Sequence, residues 1–146
     1  MNIRLMTTPD YEKVYDLWLN TPGMGLNTTD DSRDGLAKYL ARNPSTCFVA
    51  EKEGEIIGVI MSGHDGRRGF IHHTAVKLSE RNCGLGSALA ARAMSALREE
   101  GINKATLVVF EKNAGGNAFW KKQGFTVRND LIYRNKNIIE LTRIDT

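Results

Sequence analysis

A short run at positions 81–87, Arg-Asn-Cys-Gly-Leu-Gly-Ser, has the residue types that bind phosphate. It joins an apolar predicted strand at 70–76 to a predicted helix rich in small residues. The first N–H groups of a helix lack intrahelical partners, and the helix dipole makes that end positive. Gly84 and Gly86 leave room for a diphosphate at the backbone, and Arg81 adds a positive charge. The run therefore predicts a phosphate-binding turn.

The spacing of this turn excludes two common nucleotide motifs. No Gly-Lys-Ser/Thr follows, as a phosphate loop of NTP-binding proteins requires. The dinucleotide fingerprint needs a third glycine and an acid on a second strand, and neither is found here.

His72 is the candidate proton acceptor near the turn, because a neutral imidazole has a suitable pKa. Strand alternation predicts that it shares a face with Phe70 and Thr74. His73 is predicted to point to the opposite face unless a bulge changes the register. The alternative for His72 is a histidine that only hydrogen-bonds within the sheet.

The elements that would position these residues follow from periodicity and from cap and turn signals. The predicted order is a strand at 2–6, a helix beginning at 7–10, a helix capped by Asp30 or Asp31 and ending at Asn43-Pro44, strands at 46–51, 55–62 and 70–76, a helix ending at Gly101, a strand at 104–110, a helix at 116–122 capped by Asn113, and a last hairpin of 125–134 and 138–144.

The loop between the first two helices carries Met24 and Leu26 among glycines. These side chains either tuck onto the body of the protein or form a wall of an acceptor pocket. Both interpretations remain open from the sequence.

Length and composition fit one domain spanning residues 1–146. With 25% charged and 41% hydrophobic residues, the chain has an ordinary globular composition. A net charge of +3 without a basic run interleaved with aromatics argues against nucleic acid. No membrane-spanning run, signal peptide or metal site is predicted, and two distant cysteines favour a reduced, cytoplasmic protein.

The turn resembles the acetyl-CoA motif R-x-x-G-x-G/A of the GNAT N-acetyltransferase superfamily. A second segment, from Asn113 to Phe125, resembles the family's N-x-x-A-x-x-L-Y-x-K-x-G-F motif. The order of elements is also similar over nearly the whole chain. The resemblance implies an α+β three-layer fold, with a mixed, mostly antiparallel sheet whose fourth and fifth strands splay apart between flanking helices.

The resemblance further implies that acetyl-CoA is the co-substrate. Its pantetheine arm would pair with the backbone between the splayed strands, and the Val76 N–H would contact the oxyanion. The cofactor-binding residues implied are Val76, Leu78, Arg81, Asn82, Cys83, Gly84, Leu85, Gly86, Ser87, Asn113, Phe119 and Trp120.

Three residues depart from the family pattern. Leu78 stands where proline is common and Asn82 where glycine is common. Trp120 occupies the position of a tyrosine that protonates the leaving thiolate in many members, and an indole cannot act as a general acid. Tyr133 is the candidate replacement, although an ordinary strand aromatic is the alternative. Glu111 could activate the amine through water, or it could be a solvated carboxylate.

The sequence therefore predicts an acetyl-CoA-dependent N-acetyltransferase in which a primary amine attacks the thioester directly. The acceptor would be a small molecule or a polypeptide, recognised by 21–29, 64–69 and the last hairpin. The alternative is a non-catalytic acyl-CoA-binding or sensing module. Exposed edges of the last hairpin are compatible with a homodimer.

Overall fold

A computed structural model describes residues 1–145 of the chain. Its elements are β1 (Asn2–Leu5), a 3₁₀ turn (Thr8–Asp10), α1 (Tyr11–Leu19), α2 (Arg33–Arg42), β2 (Phe48–Lys52), β3 (Glu55–His64), β4 (Gly69–Val76), a second 3₁₀ turn (Leu78–Glu80), α3 (Leu85–Glu99), β5 (Ala105–Thr106) and α4 (Ala114–Lys122). The strands form one sheet in the order β1-β2-β3-β4-β5, in which only β4 and β5 are parallel. The predicted α+β fold with a mixed sheet is confirmed.

The sheet separates two apolar cores. The α1/α2 face buries Val14, Trp18 and Leu36 against Val59. The α3 face has its own cluster, in which Leu89 is fully buried. Because both faces are covered, β3 is buried along most of its length and its sequence is almost continuously apolar.

Ser32, rather than Asp30 or Asp31, begins α2. The Ser32 hydroxyl accepts a hydrogen bond from the Gly35 N–H at 3.0 Å, which satisfies a free donor of the first turn. The predicted aspartate cap is therefore wrong. Asp31 is unavailable because its carboxylate accepts hydrogen bonds from the Asn27 N–H and from β4.

β4 contains a bulge at His73 and Thr74, where two of its residues lie opposite one residue of β3. His73 has a left-handed backbone with φ of 38°. The extra residue reverses the side-chain alternation. Ile71 therefore packs in the α3 core, whereas Ala75 packs in the α1/α2 core. Because Ala75 faces the α1/α2 core, its neighbour Thr74 faces the opposite side. Thr74 therefore does not share a face with His72, contrary to the prediction.

β5 is much shorter than the predicted strand at 104–110. It pairs with β4 only at Gly69–Ala105 and Phe70–Thr106. The ladder ends before the bulge in β4, and residues 107–110 form no strand that would continue it. This opening agrees with the splayed fourth and fifth strands implied by the family resemblance.

The predicted last hairpin is wrong for the described residues. Between 125 and 145 the chain contains no strand, and its β-pairing with the rest of the described chain is the isolated bridge between Asn27 and Arg143. A two-residue β5 offers too short an edge to receive another strand, and a two-stranded hairpin alone is marginally stable. Ile132 and Ile138 are consequently exposed.

Candidate active site

The predicted phosphate-binding turn forms at the surface, at the C-terminal end of β4. Gly84 precedes α3 and has φ of 84°. The first intrahelical bond runs from the Ala88 N–H to the Gly84 oxygen at 3.0 Å. The N–H groups of residues 85–87 therefore have no helical acceptor. Residues 81–84 are exposed, so these donors lie beside solvent and can receive an anion.

The two glycines of the turn have different structural roles. A side chain at Gly84 would meet no atom within 4 Å, so Gly84 is required for its positive φ and leaves open space. A Cβ at Gly86 would approach the Phe119 ring to 3.0 Å. Gly86 therefore lets α4 pack closely against α3. Asn82, at the family's glycine position, has φ of 61°, a conformation that asparagine tolerates better than most residues.

The backbone of Val76 borders the opening between β4 and β5. The neighbouring Lys77 N–H donates to the Ile57 oxygen at 2.8 Å, and Val76 lies opposite Gly58 in the same register. In an antiparallel ladder the bonded and non-bonded pairs alternate, so the Val76 N–H points away from β3 and into the opening. The Val76 oxygen accepts a hydrogen bond from Arg81 Nε at 3.0 Å. Arg81 thus already lies beside the residue predicted to bind the oxyanion.

Three exposed residues flank this region, namely Leu78, Cys83 and Ser87. Leu78 is 79% exposed in the second 3₁₀ turn. The Cys83 thiol donates to the Glu80 oxygen at 2.8 Å, and the Ser87 hydroxyl accepts from Gln123 at 2.8 Å. Leu85 is buried and anchors the start of α3 in the core.

The second motif builds α4 beside the turn. The Asn113 side chain accepts a hydrogen bond from the Gly116 N–H at 2.9 Å, as predicted for a helix cap. Trp120 is only 9% exposed and packs edge-on against Phe119 and Phe125, with ring centroids at 4.8 Å and 5.2 Å. The tryptophan is therefore mainly a core residue of the α3 face, and Phe119 lies between it and Gly86.

His72 lies in an aromatic environment on the α1/α2 side of the sheet. Its ring stacks on Phe70 at 4.5 Å and meets Tyr39 edge-on at 5.7 Å. Burial, together with the nearby His73, lowers the pKa of His72 to about 4. His72 is therefore neutral at pH 7, but it has little tendency to hold a proton.

His73 lies on the same side of the sheet as His72, because the bulge changes the register, as the prediction allowed. The two rings are 6.1 Å apart, and His73 packs edge-on against Trp18 of α1. His73 Nε2 is 2.7 Å from Asp31 Oδ1, and the pair is largely buried. Sequence reasoning missed this pair for two reasons. The bulge has histidine at its positive φ, where glycine would have signalled it, and Asp31 resembled a helix cap.

Tyr133 and Glu111 are exposed residues outside the secondary-structure elements. Tyr133 is 67% exposed, and its hydroxyl accepts a hydrogen bond from Asn135 at 3.3 Å. Neither residue forms a hydrogen bond with β4 among the described residues. Their predicted catalytic roles gain no support from the geometry.

The α1–α2 loop is fastened to the body of the protein. Leu26 is 1% exposed and belongs to the α1/α2 core, while Met24 packs partly against the same core. The tucked interpretation is therefore correct for Leu26. The C-terminal end supports the loop through hydrogen bonds from the Thr28 N–H to Thr142 and from the Ile144 N–H to Leu26, both 2.9 Å long.

Within residues 1–145 no cluster of three or more His, Cys, Asp or Glu side chains is arranged to hold a metal ion. None of the helices formed by these residues has the length and apolarity of a membrane span.

Comparison with known proteins identifies the class to which this fold and site belong. The family model described as Acetyltransferase (GNAT) family matches residues 11–125. An acetyltransferase of Photorhabdus laumondii is 35% identical over 117 residues, which cover 77% of this chain and 78% of that protein. The chain belongs to the GNAT acetyltransferase family and is an acetyltransferase.

Solved structures of other proteins share the fold of this chain. Ard1 from Thermoplasma volcanium has a TM-score of 0.75 and 25% identity, covering 87% of this chain and 83% of its own. The PaiA N-acetyltransferase from Thermoplasma acidophilum, solved in complex with coenzyme A, has a TM-score of 0.73 and 18% identity, covering 87% of this chain and 90% of its own.

Proposed function

We propose that this protein is an acetyl-CoA-dependent N-acetyltransferase that transfers an acetyl group to a primary amine of a small molecule or a polypeptide. The observation that carries the proposal is that two sets of free backbone N–H donors lie side by side. The amides of residues 85–87 lack helical acceptors, and the Val76 N–H points into the opening beside them. A ligand with a diphosphate and an amide-containing arm would satisfy both sets.

The residues present fit such a co-substrate. The open space at Gly84 admits an anion to the backbone, and Arg81 can exchange its bond with Val76 for a phosphate oxygen. Val76 would hold the arm through its backbone. The coenzyme A complex of the PaiA N-acetyltransferase shows that this fold accommodates the ligand in a related protein.

The protein must make three contributions to the reaction, namely stabilising the oxyanion, positioning the co-substrate and accepting a proton. Its backbone can supply the first two. Bound acetyl-CoA supplies the thioester that the amine attacks. The Val76 N–H stabilises the oxyanion, and the turn fixes the position of the co-substrate. The leaving thiol has an unperturbed pKa near 8.5, so it departs as a thiolate with little assistance. A core position for Trp120 is therefore compatible with catalysis. The third contribution is a proton acceptor for the amine.

One observation favours the alternative of a non-catalytic acyl-CoA-binding module. Trp120 is an indole in the core, and the phenol of Tyr133 is exposed and pairs with Asn135, so neither is seen to serve the thiol as a general acid. Release of free thiol from acetyl-CoA in the presence of an amine panel separates the two functions. Binding without thiol release across the panel would favour the module.

Isothermal calorimetry with coenzyme A tests the proposed site. We expect the wild-type protein to bind, and Arg81→Ala to bind about tenfold more weakly, because one charge-assisted hydrogen bond contributes roughly 1.5 kcal/mol. Arg68→Ala is the matched control, since Arg68 is exposed at the distant β3–β4 turn. No heat with the wild-type protein would overturn the proposal. The cytoplasmic location and the homodimer remain predictions.

A further inference from the structure

The pair formed by His73 and Asp31 has the geometry of an oriented base. Asp31 uses both carboxylate oxygens, accepting from the Asn27 N–H at 2.8 Å on one and facing His73 Nε2 at 2.7 Å on the other. A carboxylate is an acceptor, so it favours the tautomer with hydrogen on Nε2. The second ring nitrogen, Nδ1, then carries the lone pair.

The lone pair of His73 is available to a substrate. No hydrogen bond to Nδ1 is formed within residues 1–145. No buried side-chain nitrogen or oxygen in the described chain lacks a partner, so Nδ1 retains contact with solvent. The ring is nevertheless held firmly, because the Trp18 indole packs edge-on against it at 5.1 Å and donates to the His73 oxygen at 3.1 Å.

We infer that His73 is the catalytic proton acceptor for the attacking amine and that Asp31 is its positioning residue. This inference rests on the proposed acetyl transfer. His73 occupies the bulge of β4, and Val76, the proposed oxyanion donor, ends the same strand. Asp31 lies before α2, shortly after the 21–29 segment that is predicted to recognise the acceptor.

The neighbouring His72 is less suited to this role. Its pKa of about 4 makes its imidazolium a strong acid that would return a proton to the amine. Its aromatic neighbours provide no carboxylate partner, and it forms no side-chain hydrogen bond within the described residues. Asp31 provides such a partner for His73 at 2.7 Å and holds its ring in one orientation.

The proposed step is balanced in atoms and charge. His73 Nδ1 takes one proton from the ammonium form of the acceptor, and the neutral amine nitrogen then forms a bond to the acetyl carbon and releases its second proton to solvent. The carbon–sulfur bond then breaks, and its electron pair leaves with the thiolate. The imidazolium returns to the neutral form by releasing its proton to solvent, and the thiolate takes a proton from solvent. The titratable groups that face His73 are Asp31 and His72. Tyr11 donates to the backbone oxygen of Asp31, and Asp30 acts on the neighbouring His72.

Steady-state kinetics against pH test the inference, using thiol release with the fastest acceptor from a panel of polyamines, amino sugars and peptides. The variant His73→Asn removes the base and suits the positive φ. We expect kcat/KM at pH 7 to fall about 100-fold. The loss should diminish at high pH, where the free amine is already deprotonated. Asp31→Asn should cause a smaller loss with the same recovery, while coenzyme A affinity stays within about twofold of wild type in both.

Glu99→Gln is the control, because Glu99 is exposed in the last turn of α3, outside the proposed site, and should leave the profile unchanged. Nitrogen NMR of the three histidines provides a reading independent of turnover. Wild-type His73 should carry its hydrogen on Nε2, and Asp31→Asn should remove this preference. The inference would be overturned if His73→Asn kept the wild-type dependence of kcat/KM on pH, or if His72→Asn changed that dependence instead. Either result would leave the proposed function intact. Absence of coenzyme A binding or of transfer to any amine would overturn it together with the proposed function.

Discussion

At the scale of the residue, two adjacent histidines acquire different chemistry from their surroundings. His72 is enclosed by Phe70 and Tyr39, which offer no charge to an imidazolium. His73 faces a carboxylate. Burial of a cationic form without a partner is unfavourable, so folding selects the neutral form of His72. This selection makes the stability of the protein depend on pH.

The pH dependence can be measured with His72→Phe, which keeps the aromatic contacts. The folded pKa of His72 is about 4, below the ordinary value of 6.5, so the unfolded chain binds the proton more readily below pH 6.5. Its contribution is retained above pH 6.5 and is lost as the pH falls towards 4. Between pH 7 and pH 5 we expect the wild-type protein to lose about 2 kcal/mol more than the variant. Urea unfolding at both pH values checks this, and equal losses would contradict it.

A second residue-scale prediction concerns Asn82, which has φ of 61° and an exposed side chain. A left-handed conformation costs an ordinary residue roughly 1–2 kcal/mol, and asparagine less. Asn82→Ala should therefore destabilise the protein by about 1 kcal/mol, while Asn82→Gly should be neutral or stabilising. Thermal unfolding of the matched pair measures the difference. Equal melting temperatures would show that the turn relaxes to another conformation.

At the scale of the element, the phosphate turn depends on the close contact of α3 with α4. Gly86 and Phe119 meet with no space for another carbon. Gly86→Ala should cost about 1–3 kcal/mol through overpacking. The double variant Gly86→Ala with Phe119→Leu should recover part of that loss, because the smaller side chain yields space. Denaturant unfolding of both single variants and the double variant gives the coupling energy, and strict additivity would contradict the contact.

The loop that carries Asp31 depends on the C-terminal end of the chain. Asp145 accepts a hydrogen bond from the Leu26 N–H at 2.6 Å. Asp145→Ala should speed hydrogen exchange at Leu26 and Asn27 by about tenfold, because a hydrogen bond to a charged group contributes roughly 1.5 kcal/mol. Asp130→Ala is the control, since Asp130 pairs only with nearby Arg128 at the surface. Unchanged exchange in Asp145→Ala would show that the other backbone bonds suffice.

At the scale of the whole molecule, one sheet is shared by two cores, so we expect the chain to unfold as a single unit. Its two tryptophans report on the two faces: Trp18 lies in the α1/α2 core and Trp120 in the α3 core. Fluorescence of Trp18→Phe and Trp120→Phe isolates each reporter. Leu89→Ala should lower the free energy of unfolding by about 2–5 kcal/mol, and both tryptophans should report the same decrease. A shift of the Trp120 transition alone would indicate two independently unfolding regions.

The sequence by itself determined the parts of this protein that depend on local rules. The glycines and Arg81 predicted the phosphate turn, and the Asn113 cap followed from its position before α4. Helical and strand periodicity predicted most elements, because each pattern reflects the geometry of neighbouring residues. Together with the two motifs, this order was sufficient for the family assignment that the comparisons confirm.

Only the tertiary structure decided which histidine has a partner, how long β5 is, and where the C-terminal segment lies. His73 and Asp31 are separated by 42 positions, and their contact requires a bulge that is set by the register between β3 and β4. The predicted last hairpin was wrong because a strand needs an edge to pair with, and β5 offers only two residues. Such features depend on contacts between distant segments, which a local pattern does not contain.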